Sequence, residues 1–444
     1  MFVQHRPFVL MGLVVLAIAL IAAGCGGAAA VPTATAPAKA AAPAQATQPA
    51  AAPPATAPAK ATSPTTPASP GAATPPSGAA SGKPLKIGLL TDNSGTLAIY
   101  GPMLENGFKL GLEYATQGTN AVAGRPIQVI IKDTASKPEQ ATALAREAIE
   151  KDGADLLVGV PSSGAALAVS EIAKANKKIY IAEPAASDDI TGKNFNEYVF
   201  RTSRENTQDT LASASTLKSM GTKFVQIAPD YAFGQGSAAG FYNVVKGFGG
   251  TFTVHDSKEK SGTIFAPQDT TDFTPYLQQV LDSKAEVLIV TWAGAGFVPL
   301  FTQMQQLGVF KTMKVYTGMG DNQTLKTGYQ AAVGSVGISV YHYTLPKNPV
   351  NDWLVQRHRE QFKTPPDLFT AGGFTAAQMV VEGLKKTNGD SSADKLIPVF
   401  EGMQLQAPKG TFIFRKSDHV ALQPMYVVRL TNTTDPDFKF FELV

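Results

Sequence analysis

The sequence predicts an α/β fold built as two doubly wound parallel sheets. Short apolar runs alternate with helix-period segments from Leu85 onward, and the alternation restarts near Asn206. After about Ser339 the pattern turns mainly helical, with two late strands. Apolar runs without polar alternation suit strands buried on both faces, as a parallel sheet between helices requires.

The first lobe is read in order. Leu85–Thr91 is a strand, and Gly101–Ala115 a helix with Leu104, Phe108, Leu112 and Ala115 at helical spacing. A strand over 127–132 follows, then a helix over 138–151 that Ser136 caps and Pro138 starts, with Ala141, Leu144, Ala145, Ala148 and Ile149 on one face. The stretch DLLVGVPSSGAAL (155–167) reads as strand, turn and helix, because Gly159 and Pro161 end the apolar run before Ser162 and Ser163. Either serine caps the helix running to Asn176, or the free first-turn amides and hydroxyls receive an anion. Both readings stand on this segment alone. A fourth strand over 179–182 leads into the loop 183–187.

The second lobe repeats the rhythm with the helix Asn206–Met220, a strand over 224–228, a helix over 233–246 and strands over 251–254, 286–291 and 314–316. Helices over 351–362 and Thr370–Lys386 follow, then strands over 411–414 and 425–430. In such folds ligands sit beyond the carboxyl ends of the strands.

What precedes residue 83 cannot join a core. Residues 1–24 combine a weakly basic start, a long apolar run and small residues, as an export signal does. Cys25 is the sole cysteine, so no disulfide or thiolate metal site forms within the chain. The segment ending at Cys25 resembles the lipobox of bacterial lipoproteins, with Ala22 where leucine is usual, and the resemblance implies lipidation of Cys25. From residue 26 to 82 the chain is Ala, Pro, Thr and Ser with twelve prolines and no aromatic residue, which leaves it an extended tether. With Arg6, Lys39 and Lys60 set aside, the body holds 35 basic and 35 acidic residues, a balance that excludes a nucleic-acid surface.

His255, His342, His358 and His419 are scattered, so no metal site is expected. Neither serine lies in a nucleophile elbow, and the glycines at 234, 236 and 240 miss dinucleotide spacing. No enzyme activity and no cofactor are expected. Trp292, at a strand end, either lines a cleft or packs between lobes.

The segments KIGLLTDNSGTLAIYG (86–101), GRPIQVIIKDTASKPEQA (124–141), GADLLVGVPSSGAAL (153–167), AEPAAS (182–187), VFRTSREN (199–206) and DYAFGQG (230–236) together resemble the type I periplasmic binding proteins, specifically the leucine/isoleucine/valine-binding receptors of ABC importers. The resemblance implies a lobe of residues 83–203 and 342–419, another of 204–341 and 420–444, and a hinge of three crossings near 201–205, 339–343 and 415–424. It implies a ligand carboxylate held by Ser163, with Ser162 beside it, and by Ala185 and Ser187 next to Tyr100. Asp230, Tyr231, Phe233 and Trp292 would line the second-lobe side. Where such receptors place an acid for the ligand ammonium, this chain reads Gly318-Met319-Gly320, so either Asp321, the nearest acid, or Asp230 or a shifted loop supplies it, or the ligand has no ammonium. Ser136 and Ser162 stand where some members carry a cysteine pair, so the loop beside the site is expected to be untied.

The expected function is a monomeric, exported, lipid-anchored receptor that delivers a branched-chain or related amino acid to an ABC permease. The alternatives are an aromatic or keto acid or amide as ligand, or a sensor of the same fold. A sensor would carry a spanning segment and a signalling domain, and neither is read before Val444.

Overall fold

The computed structural model describes residues 82–254 and 261–444. The export signal, the lipidation of Cys25, the tether to residue 81 and His255 lie outside the described residues.

The first sheet has six strands in the order Ala121–Val122, Arg125–Asp133, Leu85–Thr91, Leu156–Gly159, Tyr180–Ala182 and Val199–Arg201. All its pairs are parallel except the short first one. Leu85, Ile87 and Leu89 pack on one face with Leu104, Phe108 and Val380, while Leu90 and Leu157 pack on the other with Ala141, Ala145 and Ala166. Burial on both faces explains why these strands read as unbroken apolar runs.

The second sheet runs Phe441–Leu443, Tyr426–Leu430, Val336–Ser339, Lys314–Gly318, Val287–Val290, Lys223–Pro229 and Thr251–Phe252, with Thr263–Ala266 also paired to Lys223–Pro229. Its centre is parallel, and the two C-terminal strands join antiparallel. A third, antiparallel sheet of Gln404–Ala407, Gly410–Phe414 and Ala421–Leu422 packs Leu405, Phe412 and Ala421 into the first core.

The chain therefore passes between the sheets three times: after Val199–Arg201, after Val336–Ser339, and between Ala421–Leu422 and Tyr426–Leu430. No helix among the described residues is long and apolar enough to cross a membrane.

Two local expectations need correction. Ser136 does not cap the helix Pro138–Glu150, whose N-cap is Lys137 without a side-chain bond. Asp92, buried at the end of the first strand, claims Ser136 instead, taking its backbone N–H at 2.8 Å and its hydroxyl at 3.0 Å. Ser136 Oγ also accepts Leu97 N at 3.1 Å. The strand expected over 251–254 ends at Phe252.

Candidate functional site

The carboxyl ends of both sheets face a shared cleft of about 80 Å³. Gly159 ends its strand at φ +120, where a Cβ would stand 1.9 Å from Leu90 O, so glycine alone makes this turn. The helix Ser163–Ala175 then starts with its amide end at the cleft.

The two serines divide the roles that the sequence left open. Ser162 is the cap, accepting Ala165 N at 3.4 Å, and it does not line the cleft. Ser163 does line it, and its Oγ accepts Ala186 N and Ser187 N, each at 3.2 Å. The Ser163 hydroxyl hydrogen remains available to a ligand.

Aromatic rings make most of the wall. Tyr100 and Phe369 meet edge to face at 4.7 Å on the first-lobe side, while Tyr231, Phe233, Trp292 and Phe297 close the second-lobe side. The walls touch at the rim, where Gly294 N donates to the Tyr100 hydroxyl at 2.7 Å and Ala295 N to Thr96 O at 3.2 Å.

Arg204 and Asp209, which sequence reasoning missed, supply the charge. Arg204 Nε lies 3.2 Å from Asp209 Oδ2, and Nη1 donates to Pro184 O at 3.0 Å. The guanidinium carbon sits 5.9 Å from the ring centres of both Phe233 and Phe369, one ring from each side of the cleft. Arg204 Nε, although within ion-pair distance of Asp209 Oδ2, and Asp209 Oδ1 are buried without a hydrogen-bond partner among the described residues. Burial pushes the Asp209 carboxyl above its usual range, and the Arg204 charge offsets that rise. The signal for Arg204 was its place in VFRTSREN, directly on the first crossing.

Of the residues expected at the site, Tyr100, Ser163, Tyr231, Phe233 and Trp292 come together around the cleft. Ala185, Ser187, Asp230 and Asp321 do not line it. Ala186 takes the wall position between Ala185 and Ser187, since the loop turns only one residue inward. Asp230 is exposed and accepts Gln235 Nε2 at 2.9 Å. Asp321 caps the helix Asn322–Gly328, its Oδ1 accepting Gln323 N and Thr324 N, because that helix end needs acceptors more than the cleft needs an acid.

A family model described as periplasmic binding protein matches residues 84–435. The chain belongs to the type I periplasmic binding proteins. It is 40% identical to an ABC-type branched-chain amino acid transporter from Rhodopseudomonas palustris CGA009, over 81% of this chain and 95% of that one, with a TM-score of 0.67. A solute binding protein of an ABC transporter from Rhodopseudomonas palustris BisB5, in complex with 3,4-dihydroxybenzoic acid, is 28% identical over 78% and 92%, with a TM-score of 0.70. The Leu/Ile/Val-binding protein homolog 6 of Brucella abortus (strain 2308) is 25% identical over 80% of this chain and 90% of its own length. This periplasmic binding protein is thus a substrate-binding protein of an ABC transporter, acting outside the cytoplasm on a small molecule and in partnership with a permease.

Proposed function

We propose that the ligand is a small monocarboxylate with an apolar, aromatic body. Asp209 carries the reading: it is the one acid lining the cleft among the described residues, and Arg204 already neutralises it at 3.2 Å. An ammonium brought into this wall would compete with a guanidinium for that carboxylate, whereas a carboxylate meets Ser163, the helix amides and the Arg204 guanidinium. The ring-lined wall favours a flat apolar body. The dihydroxybenzoate-bound relative adds support.

A second reading, a branched-chain amino acid, rests on the unpartnered Asp209 Oδ1 and on the Leu/Ile/Val-binding relatives. Mass spectrometry of the small molecule released when the purified full chain is denatured separates them. An aromatic acid supports the first reading, and leucine, isoleucine or valine overturns it.

We further propose that the two halves joined by the three crossings close on the ligand, and that lipid on Cys25 holds the monomeric receptor at the membrane. A Cys25→Ala chain that stays in the membrane fraction contradicts the anchor.

A further inference from the structure

We infer that Arg201 is a positioning residue for the anion subsite, acting on the ligand through the backbone of the loop 184–187 without touching it. Arg201 is fully buried, and each of its five N–H donors has an acceptor. Nε donates to Ser203 Oγ at 3.3 Å. Nη1 donates to Ser187 O at 3.0 Å and Thr191 Oγ1 at 3.1 Å. Nη2 donates to Ala185 O at 2.8 Å and Arg204 O at 3.1 Å.

The neighbouring bonds complete the pattern. Pro184 O takes Arg204 Nη1 at 3.0 Å, Ala185 O also takes Ser203 Oγ at 2.7 Å, and Ala186 O takes Asn206 N at 2.9 Å. Four consecutive loop carbonyls are thus held by residues of the first crossing. With the carbonyls taken by the crossing, the N–H groups of Ala186 and Ser187 both donate to Ser163 Oγ, which lines the cleft.

The peptide unit between Ala185 and Ala186 has a guanidinium on its oxygen and Ser163 Oγ on its N–H. Hydrogen bonds in series polarise one another, so the buried charge acts through this peptide on Ser163 Oγ and strengthens the Ser163 hydroxyl as the donor offered to an anion. Glu205 Oε1, 3.6 Å from Nη1, balances part of the charge. A lysine supplies the charge but not the planar fork that holds two carbonyls at once.

This inference rests on the carboxylate reading, and its test keeps the two apart. Calorimetry on the full chain compares benzoate with benzamide and leucine with leucinamide, in wild type, Arg201→Lys and the milder Ser203→Ala. Arg201→Lys should weaken the carboxylate roughly tenfold or more and leave its amide within about twofold. Ser203→Ala should show the same pattern, only smaller. Equal losses for acid and amide would mean a purely structural role and overturn the inference, as would no loss. If wild type binds none of the four, the carboxylate reading fails, and amide hydrogen exchange of ligand-free protein still decides Arg201. Exchange at Ala186 and Ser187 should quicken in the variants while Leu157 stays protected; unchanged exchange there rejects the positioning role.

Discussion

Arg204 Nε lies 3.2 Å from Asp209 Oδ2 inside an aromatic cleft, and this pair decides what charge a ligand meets there. Asp209→Asn keeps the shape and frees the guanidinium. Benzoate should then bind more tightly, by roughly tenfold to a hundredfold, since a bond to a charged group is worth roughly 1.5–3 kcal/mol. Leucine should gain less. A collapse of leucine affinity with benzoate unchanged would show that Asp209 holds an ammonium.

Asp321→Ala separates capping from recognition. Loss of the cap should cost about 1 kcal/mol, read as a lower melting temperature. The affinity ratio of leucine to its 2-keto analogue should not move. A tenfold change in that ratio would place Asp321 at the ligand after all.

Closure has its own test at Gly294, where φ is +75 and a Cβ would stand 2.1 Å from Thr96 O across the rim. Backbone on both sides cannot yield, so Gly294→Ala should keep the rim apart. We expect weaker ligand binding and a larger radius by small-angle scattering for the ligand-loaded chain. Unchanged affinity would show that this rim contact is not part of the bound state.

The hinge carries a pH signature. Burial pushes Glu183 up to about 7 from 4.5, although Thr202 Oγ1 donates to it at 3.0 Å, and burial pulls Lys409 down to about 7 from 10.5. Between pH 4.5 and about 7 the folded state keeps a Glu183 proton that the unfolded chain releases. Stability from this group therefore falls as pH rises through that window, by on the order of 3 kcal/mol, and is flat above it. Lys409 acts oppositely, adding stability as pH rises from about 7 toward 10.5. Melting of Glu183→Gln should lack the fall between pH 4.5 and 7; an identical profile would contradict the assignment.

The framework was legible because its strands are buried on both faces and Gly101–Ala115 repeats apolar residues at helical spacing: Leu85–Thr91, Gly101–Ala115, Asn206–Met220 and Thr370–Lys386 have the ends read from sequence. The strands Thr263–Ala266, Val336–Ser339 and Gln404–Ala407 were not read, because such short segments have too few apolar positions to show a period. At the site, Ser163 was legible from its place beyond a strand end, and Tyr100 from the family resemblance alone. Arg204 and Asp209 were not, because an acid in the first turn of a helix reads as a complement to its dipole and a nearby arginine as solvated charge. Only the packing of Phe233 and Phe369 around the guanidinium reveals that both are inside.

The most direct test of the central claim, that this cleft reads a carboxylate on an apolar body and needs no ammonium, is titration calorimetry of the full chain. Benzoate, leucine and 4-methyl-2-oxopentanoate are compared under one condition. The account predicts that benzoate binds most tightly and that the keto acid binds at least as well as leucine. Tight leucine binding with the keto acid weaker by about a hundredfold or more would contradict it.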